Sequence, residues 1–161
     1  YKLNNKDFEK VVEIISIINL EKKKHLIAKN LSHGEKQWLE IGMLLIQQSD
    51  LLLIDEPVAG MTEIETKKTS ELLINISKDR TVLVVEHDMN FIESLDVEVV
   101  VLNEGSLLTR GSMKNIKKNL NPAQKKEHTL LGLYPQQYWS TFSHSWWYAL
   151  NKVSSLHGDN Y

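Results

Sequence analysis

The sequence predicts an α/β fold, a mostly parallel sheet with flanking helices. Three observations lead there. Residues 51–54, 81–85 and 97–102 form short apolar runs of strand length, rich in Leu, Ile and Val. Segments of helical periodicity lie between them. Strands alternating with helices are the pattern of parallel crossover units.

Phe8, Val11, Val12, Ile15 and Ile18 follow a 3.6-residue repeat after Asn4-Asn5. They predict an amphipathic helix whose apolar face also takes in Ile14 and needs a partner surface. Lys22-Lys23-Lys24 reads as a solvated helix end or turn. Ser32 or Gly34 can begin the next helix, which runs through Ile46 before Gln48-Ser49-Asp50 breaks the pattern. The apolar strand at 51–54 then meets Asp55, Glu56 and Pro57, followed by a turn segment with Gly60. Residues 63–78 predict a helix with Ile64, Leu72, Leu73 and Ile76 inward.

Residues 81–86 predict a second strand, 89–95 a short helix with Phe91 and Ile92, and 97–102 a third strand. Asn103-Glu104-Gly105 predicts a hairpin turn into a strand at 106–109. A basic helix follows from Met113 to about Asn119. After Asn121-Pro122 the composition shifts, and Trp139, Trp146, Trp147 and most tyrosines fall in the last stretch.

A chain of 161 residues with 42% hydrophobic content suits one domain with a buried core. A net charge of −2 gives no electrostatic drive toward nucleic acid or anionic membrane. The absence of cysteine excludes disulfides and thiolate metal sites. No apolar run reaches the roughly 20 residues of a membrane-spanning helix. The first residue is Tyr1 and no signal peptide is visible, so the expectation is a piece of a longer cytoplasmic protein.

Three places carry chemistry. Asp55 and Glu56 end a buried strand, and side chains at i and i+1 leave its tip in opposite directions. One carboxylate can hold a divalent metal while the other orients a water against a phosphoryl group. Alone, the run is equally a strand stop and a turn. Ser32 and Gly34 stand at the mouth of a helix, where a hydroxyl, free backbone N–H groups and the helix dipole suit an anion. The plain reading is an N-cap, with Glu35 three residues on as a capping box. His87 follows a strand, where a histidine is commonly structural, yet it can donate to phosphate without a fixed charge.

Position joins them. Leu31-Ser32-His33-Gly34-Glu35, then Leu51-Leu52-Leu53-Ile54-Asp55-Glu56-Pro57, then Val84-Val85-Glu86-His87-Asp88 follow the order and spacing of an ATP-binding-cassette (ABC) ATPase, which the chain resembles. The resemblance implies a partial P-loop NTPase fold, an ABC nucleotide-binding domain with its N-terminal half missing. It makes Ser32, His33, Gly34 and Glu35 the signature motif, with His33 in place of the usual first glycine and Glu35 in place of glutamine. By the same resemblance Asp55 contacts the Mg2+ shell, Glu56 polarises the attacking water and His87 contacts the γ-phosphate of ATP. Gly60 falls in the D-loop, which runs along the dimer interface beside nucleotide. The side chain of Glu35 is expected to point away from nucleotide or to bond a ribose.

None of the seven glycines begins a G-x-x-x-x-G-K-[ST] phosphate loop (Walker A). No glutamine-loop candidate precedes Leu31. Both are expected upstream of Tyr1. Residues 1–132 are thus expected to be the C-terminal half of the domain, with 1–48 the end of the helical subdomain and signature helix and 49–120 the catalytic core. The parent protein is expected to hydrolyse ATP, and these residues alone are expected to be inactive.

The continuation Lys36-Gln37-Trp38-Leu39-Glu40-Ile41-Gly42-Met43 resembles the ATPase subunits of urea-type importers, close relatives of branched-chain amino-acid importers. That implies a second ATPase subunit in a head-to-tail dimer, permease subunits, and a peripheral place on the inner face of the cell membrane. A non-catalytic or decayed binding module, or the ATPase of a branched-chain amino-acid importer, is the alternative. A soluble repair or translation ATPase is disfavoured by the lack of basic bias. Residues 133–161 read as a disordered or frame-shifted end; a membrane or partner patch, or the opening of another cassette domain, are the other readings.

Overall fold

The computed structural model describes residues 4–103, 106–119 and 129–133. Helix α1 (Asn5–Ile17) is capped by Asn4, whose side chain accepts from the Asp7 amide at 2.8 Å. Helix α2 (His33–Leu45) starts at the N-cap Ser32. Strand β1 (Leu51–Asp55), helix α3 (Glu63–Ile76), strand β2 (Thr81–Glu86), helix α4 (Met89–Leu95) and strand β3 (Glu98–Asn103) follow in alternation. Strand β4 (Ser106–Ser112), helix α5 (Met113–Asn119) and strand β5 (Thr129–Leu133) complete the order. The predicted turn at Glu104-Gly105 and the atypical end at 134–161 lie outside the described residues.

The sheet order is β1-β2-β5-β3-β4. Among the described residues only β1 and β2 pair in parallel, with Asp55 opposite Val85. The β3–β4 ladder is antiparallel, and β5 runs antiparallel to both β2 and β3. Strands β1, β2 and β3 therefore share a direction, as their α3 and α4 crossovers require. The parallel sheet expected from the sequence is partial, because β5 enters between two strands of that set.

One sheet face holds the core. Leu52, Ile54, Val82 and Val84 are buried with Leu72, Leu73, Phe91 and Ile92. Leu53, on the opposite face of edge strand β1, is exposed. Three inward assignments from the sequence are corrected. Ile64 is exposed, because at about 100° per residue it lies roughly opposite Leu73 on α3. Phe8 and Val12 are also exposed, and α1 instead packs through Ile14, Ile15, Ile17 and Ile18. Gly42 lets it approach: a Cβ there would stand 2.8 Å from Ile18 Cδ1 and 3.3 Å from Ile14 Cγ2.

Helices α2 and α3 are joined by a buried polar contact. Trp38 Nε1 donates to Thr69 Oγ1 at 2.8 Å, and the Thr69 hydroxyl donates on to the Glu65 carbonyl at 2.9 Å. Lys68 Nζ lies 5.9 Å from the centre of the Trp38 ring. The contact ties the two helices together at mid-length, and their starts belong to the candidate site.

Candidate nucleotide site

At the tip of β1 the chain turns sharply. Asp55 is exposed at the strand end, and Glu56 takes φ of +45°, a left-handed backbone uncommon for a residue with a Cβ. Its amide still donates to the Val85 carbonyl at 2.9 Å, so the turn is tied to β2. Strained backbone held by its surroundings concentrates at functional positions. The turn carries the Glu56 carboxylate to the end of β2, where His87 Nδ1 lies 3.3 Å from Glu56 Oε1. Glu56 and His87 are therefore neighbours, both with substantial solvent access.

Sequence reasoning missed Glu86 beside them. This side chain is buried, its Oε1 accepts from the Asp88 amide at 3.4 Å, and Oε2 has no hydrogen-bond partner. Burial raises its pKa; donation from the Asp88 amide and the nearby His87 oppose the rise, and Glu56 adds to it. A carboxylate closing an apolar strand immediately before a histidine was the available signal.

The second half of the site is the α2 start. Ser32 Oγ accepts from the Glu35 amide at 3.3 Å, and Glu35 Oε2 accepts from the Ser32 amide at 3.0 Å, a complete capping box. Glu35 Oε1 pairs with Lys23 Nζ at 2.5 Å. These partners, Lys23 first and the Ser32 amide second, lower the Glu35 pKa. The Glu35 side chain thus closes its own helix cap. The His33 ring turns toward the turn segment, with Nε2 2.8 Å from the Ala59 carbonyl oxygen. Gly60, at φ +69°, lies against that ring, since a Cβ there would stand 3.5 Å from His33 Nε2. The structure thus brings Ser32, His33, Glu35 and Gly60 together, with Gly34 buried beneath Glu65, and Glu56 with His87 as a separate pair.

Glu65 was also missed. Its Oε2 accepts from the Thr62 amide at 3.0 Å and from the Thr62 hydroxyl at 2.8 Å, closing a capping box on α3. Its Oε1 accepts from Ser32 Oγ at 3.3 Å. The spacing Thr62-x-x-Glu65 announces the box, while the reach across to Ser32 depends on tertiary packing. Among the described residues, no group of three or more His, Cys, Asp and Glu side chains is set to hold a metal ion.

This architecture has, in part, the P-loop NTPase fold of solved ATP-binding cassettes. The solved ATP-binding cassette MJ1267 in its ADP conformation superposes with a TM-score of 0.70 at 21% identity, over 77% of this chain and 51% of that one. The cbiO1 protein of Clostridium perfringens, part of an ABC transporter complex, gives 0.66 at 23% identity, over 73% and 48%. The ABC transporter family profile matches residues 3–59. The Escherichia coli high-affinity branched-chain amino acid transport ATP-binding protein LivG is 34% identical over 94 residues, 57% of this chain and 37% of LivG. The methionine import ATP-binding protein MetN of Helicobacter pylori is 33% identical over 131 residues, 80% of this chain and 39% of MetN. The chain spans less than half the length of these two curated relatives. Its homology to these ABC transporter ATPases extends over the aligned parts alone.

Proposed function

We propose that this chain belongs to the ATP-binding subunit of an importer that couples ATP hydrolysis to uptake of urea or a related small amide. The observation that carries the ATPase reading is the pairing of Glu56 with His87 at the strand tips, on a chain that also presents a capped, glycine-bearing helix start. The likeness to LivG favours a second reading of the cargo, branched-chain amino acids. Urea rests on the resemblance of the 36–43 continuation.

In this reading Ser32 and Gly34 face the nucleotide of a second ATPase subunit, arranged head to tail, and Asp55, Glu56 and His87 face their own. Asp55 would hold Mg2+. A lone carboxylate suits that ion, which is commonly bound by one or two carboxylates together with water and phosphate oxygens. When bound, the ion neutralises charge on the phosphates. Glu56 accepts a hydrogen bond from the attacking water and orients it in line with the γ-phosphate. His87 Nδ1 lies 3.3 Å from Glu56, and donating to phosphate through Nε2 at the same time requires both ring nitrogens to carry protons. Gly60 and His33 hold the turn beside the subunit boundary.

Cradling the α- and β-phosphates requires a G-x-x-x-x-G-K-[ST] loop, which these 161 residues do not contain. Hydrolysis is therefore assigned to an assembly that includes such a loop. Permease subunits would place it on the inner face of the membrane; no helix among the described residues is long and apolar enough to cross one. Uptake of labelled urea and labelled leucine by source cells with the coding region deleted separates the cargoes. Loss of urea uptake alone supports the first reading, and loss of leucine uptake alone supports the second.

A further inference from the structure

Between the buried anchors Leu20 and Leu31, every residue from Glu21 to Asn30 is exposed. This stretch joins α1 to α2 through short 3₁₀ turns at Glu21–Lys23 and Ala28–Asn30. The Leu26 amide donates to the Lys23 carbonyl at 2.8 Å, and the Asn30 amide to the Ile27 carbonyl at 2.9 Å. Leu26 and Ile27 therefore stand at the link between two hydrogen-bonded turns, 50% and 65% exposed. Lysines flank them. The stretch carries Lys22, Lys23, Lys24 and Lys29 against the single acid Glu21. Lys23 pairs with Glu35, and the Glu21 carboxylate accepts from the Ser16 hydroxyl at 2.9 Å. Lys22, Lys24 and Lys29 form no ion pair with a described residue.

A nucleic acid or a polyacidic segment would answer this charge alone and leave the aliphatic pair in water. A bilayer containing anionic lipid answers both, since headgroups attract the ammonium groups and the acyl boundary takes the aliphatic side chains. The net charge of −2 belongs to the whole chain, and charges beyond about 10 Å are largely screened at 0.1 M salt. We propose that residues 21–30 are a membrane-contact loop. Leu26 and Ile27 enter the headgroup boundary of an anionic bilayer, and Lys22, Lys24 and Lys29 lie over its phosphates. This goes beyond the importer reading, because the contact needs neither nucleotide nor permease.

The test is flotation of the full 161-residue chain with vesicles of phosphatidylcholine, alone or with about 30% phosphatidylglycerol. Wild type is compared with K22Q/K24Q/K29Q and with L26S/I27S. Wild type should float with the anionic vesicles alone, and added salt should release it. The lysine variant should bind at least about tenfold more weakly. L26S/I27S should bind at least about fivefold more weakly and keep its salt dependence. A second reading needs no variant: anionic nanodiscs carrying a nitroxide lipid should broaden the wild-type amides of residues 22–29 before others. No flotation with anionic vesicles overturns the proposal. Binding that both variants retain overturns it too, placing the contact elsewhere, such as the stretch holding Trp139, Trp146 and Trp147. A loss in the lysine variant alone also overturns it and leaves an electrostatic patch suited to an acidic partner.

Discussion

Glu56 is held in a left-handed backbone conformation by the strand tip, and its carboxylate meets His87 across the end of β2. Because both side chains are well exposed, their contact adds little to stability. His87→Ala is expected to leave the urea-unfolding midpoint within about 0.5 kcal/mol of wild type. In an assembly with an intact phosphate loop, the same change should slow steady-state ATP hydrolysis about a hundredfold or more. Glu86 behaves in the opposite sense. Its folded pKa is raised, so ionisation destabilises the fold: the favourable balance is complete below the ordinary value of 4.5 and is lost as pH rises through the folded value. Glu86→Gln should therefore raise the stability of the chain at pH 8, with the gain vanishing below pH 4.5. Thermal melts across that range check the sign. The motif residues were legible singly, since each belongs to a short pattern. Glu86 and Glu65 were not, because their importance lies in burial and in a reach across helices.

Helices α2 and α3 act as one unit through their starts and through Trp38. Thr69 is fully buried, and its hydroxyl satisfies the indole N–H at 2.8 Å. Thr69→Val leaves that donor unpaired and should cost about 1–3 kcal/mol, measured as a lower urea midpoint at unchanged slope. Helix starts were legible because caps are local. Ser32 with Glu35 is a capping-box spacing, and Ser32 proved to be the N-cap. Inward faces were less legible. Periodicity alone admits Phe8, Val12 and Ile64 to apolar stripes, and only the placement of neighbours decides which residues face them.

Across the whole molecule, the alternation of strands and helices correctly indicated the α/β class, and the crossovers fixed the common direction of β1, β2 and β3. Nothing local indicated that residues 129–133 would pair between β2 and β3, since strand order depends on long-range contacts. Leu131 stands opposite Val84 on one side and Val99 on the other. Leu131→Pro removes a ladder donor in the middle of the sheet, with an expected loss of about 3 kcal/mol. Hydrogen exchange should quicken at 82–85 and 99–101 together; quickening at one strand alone would contradict the described order.

Glu56 and His87 are proposed to act on a nucleotide held by a phosphate loop supplied from outside these residues. The most direct measurement is ATP hydrolysis by a chimera joining the phosphate-loop half of LivG to residues 1–161, compared with its Glu56→Gln form. Both forms should bind ATP, and only the first should turn it over at a substantial rate. Equal hydrolysis by the two forms, with nucleotide bound in each, would contradict the proposed action.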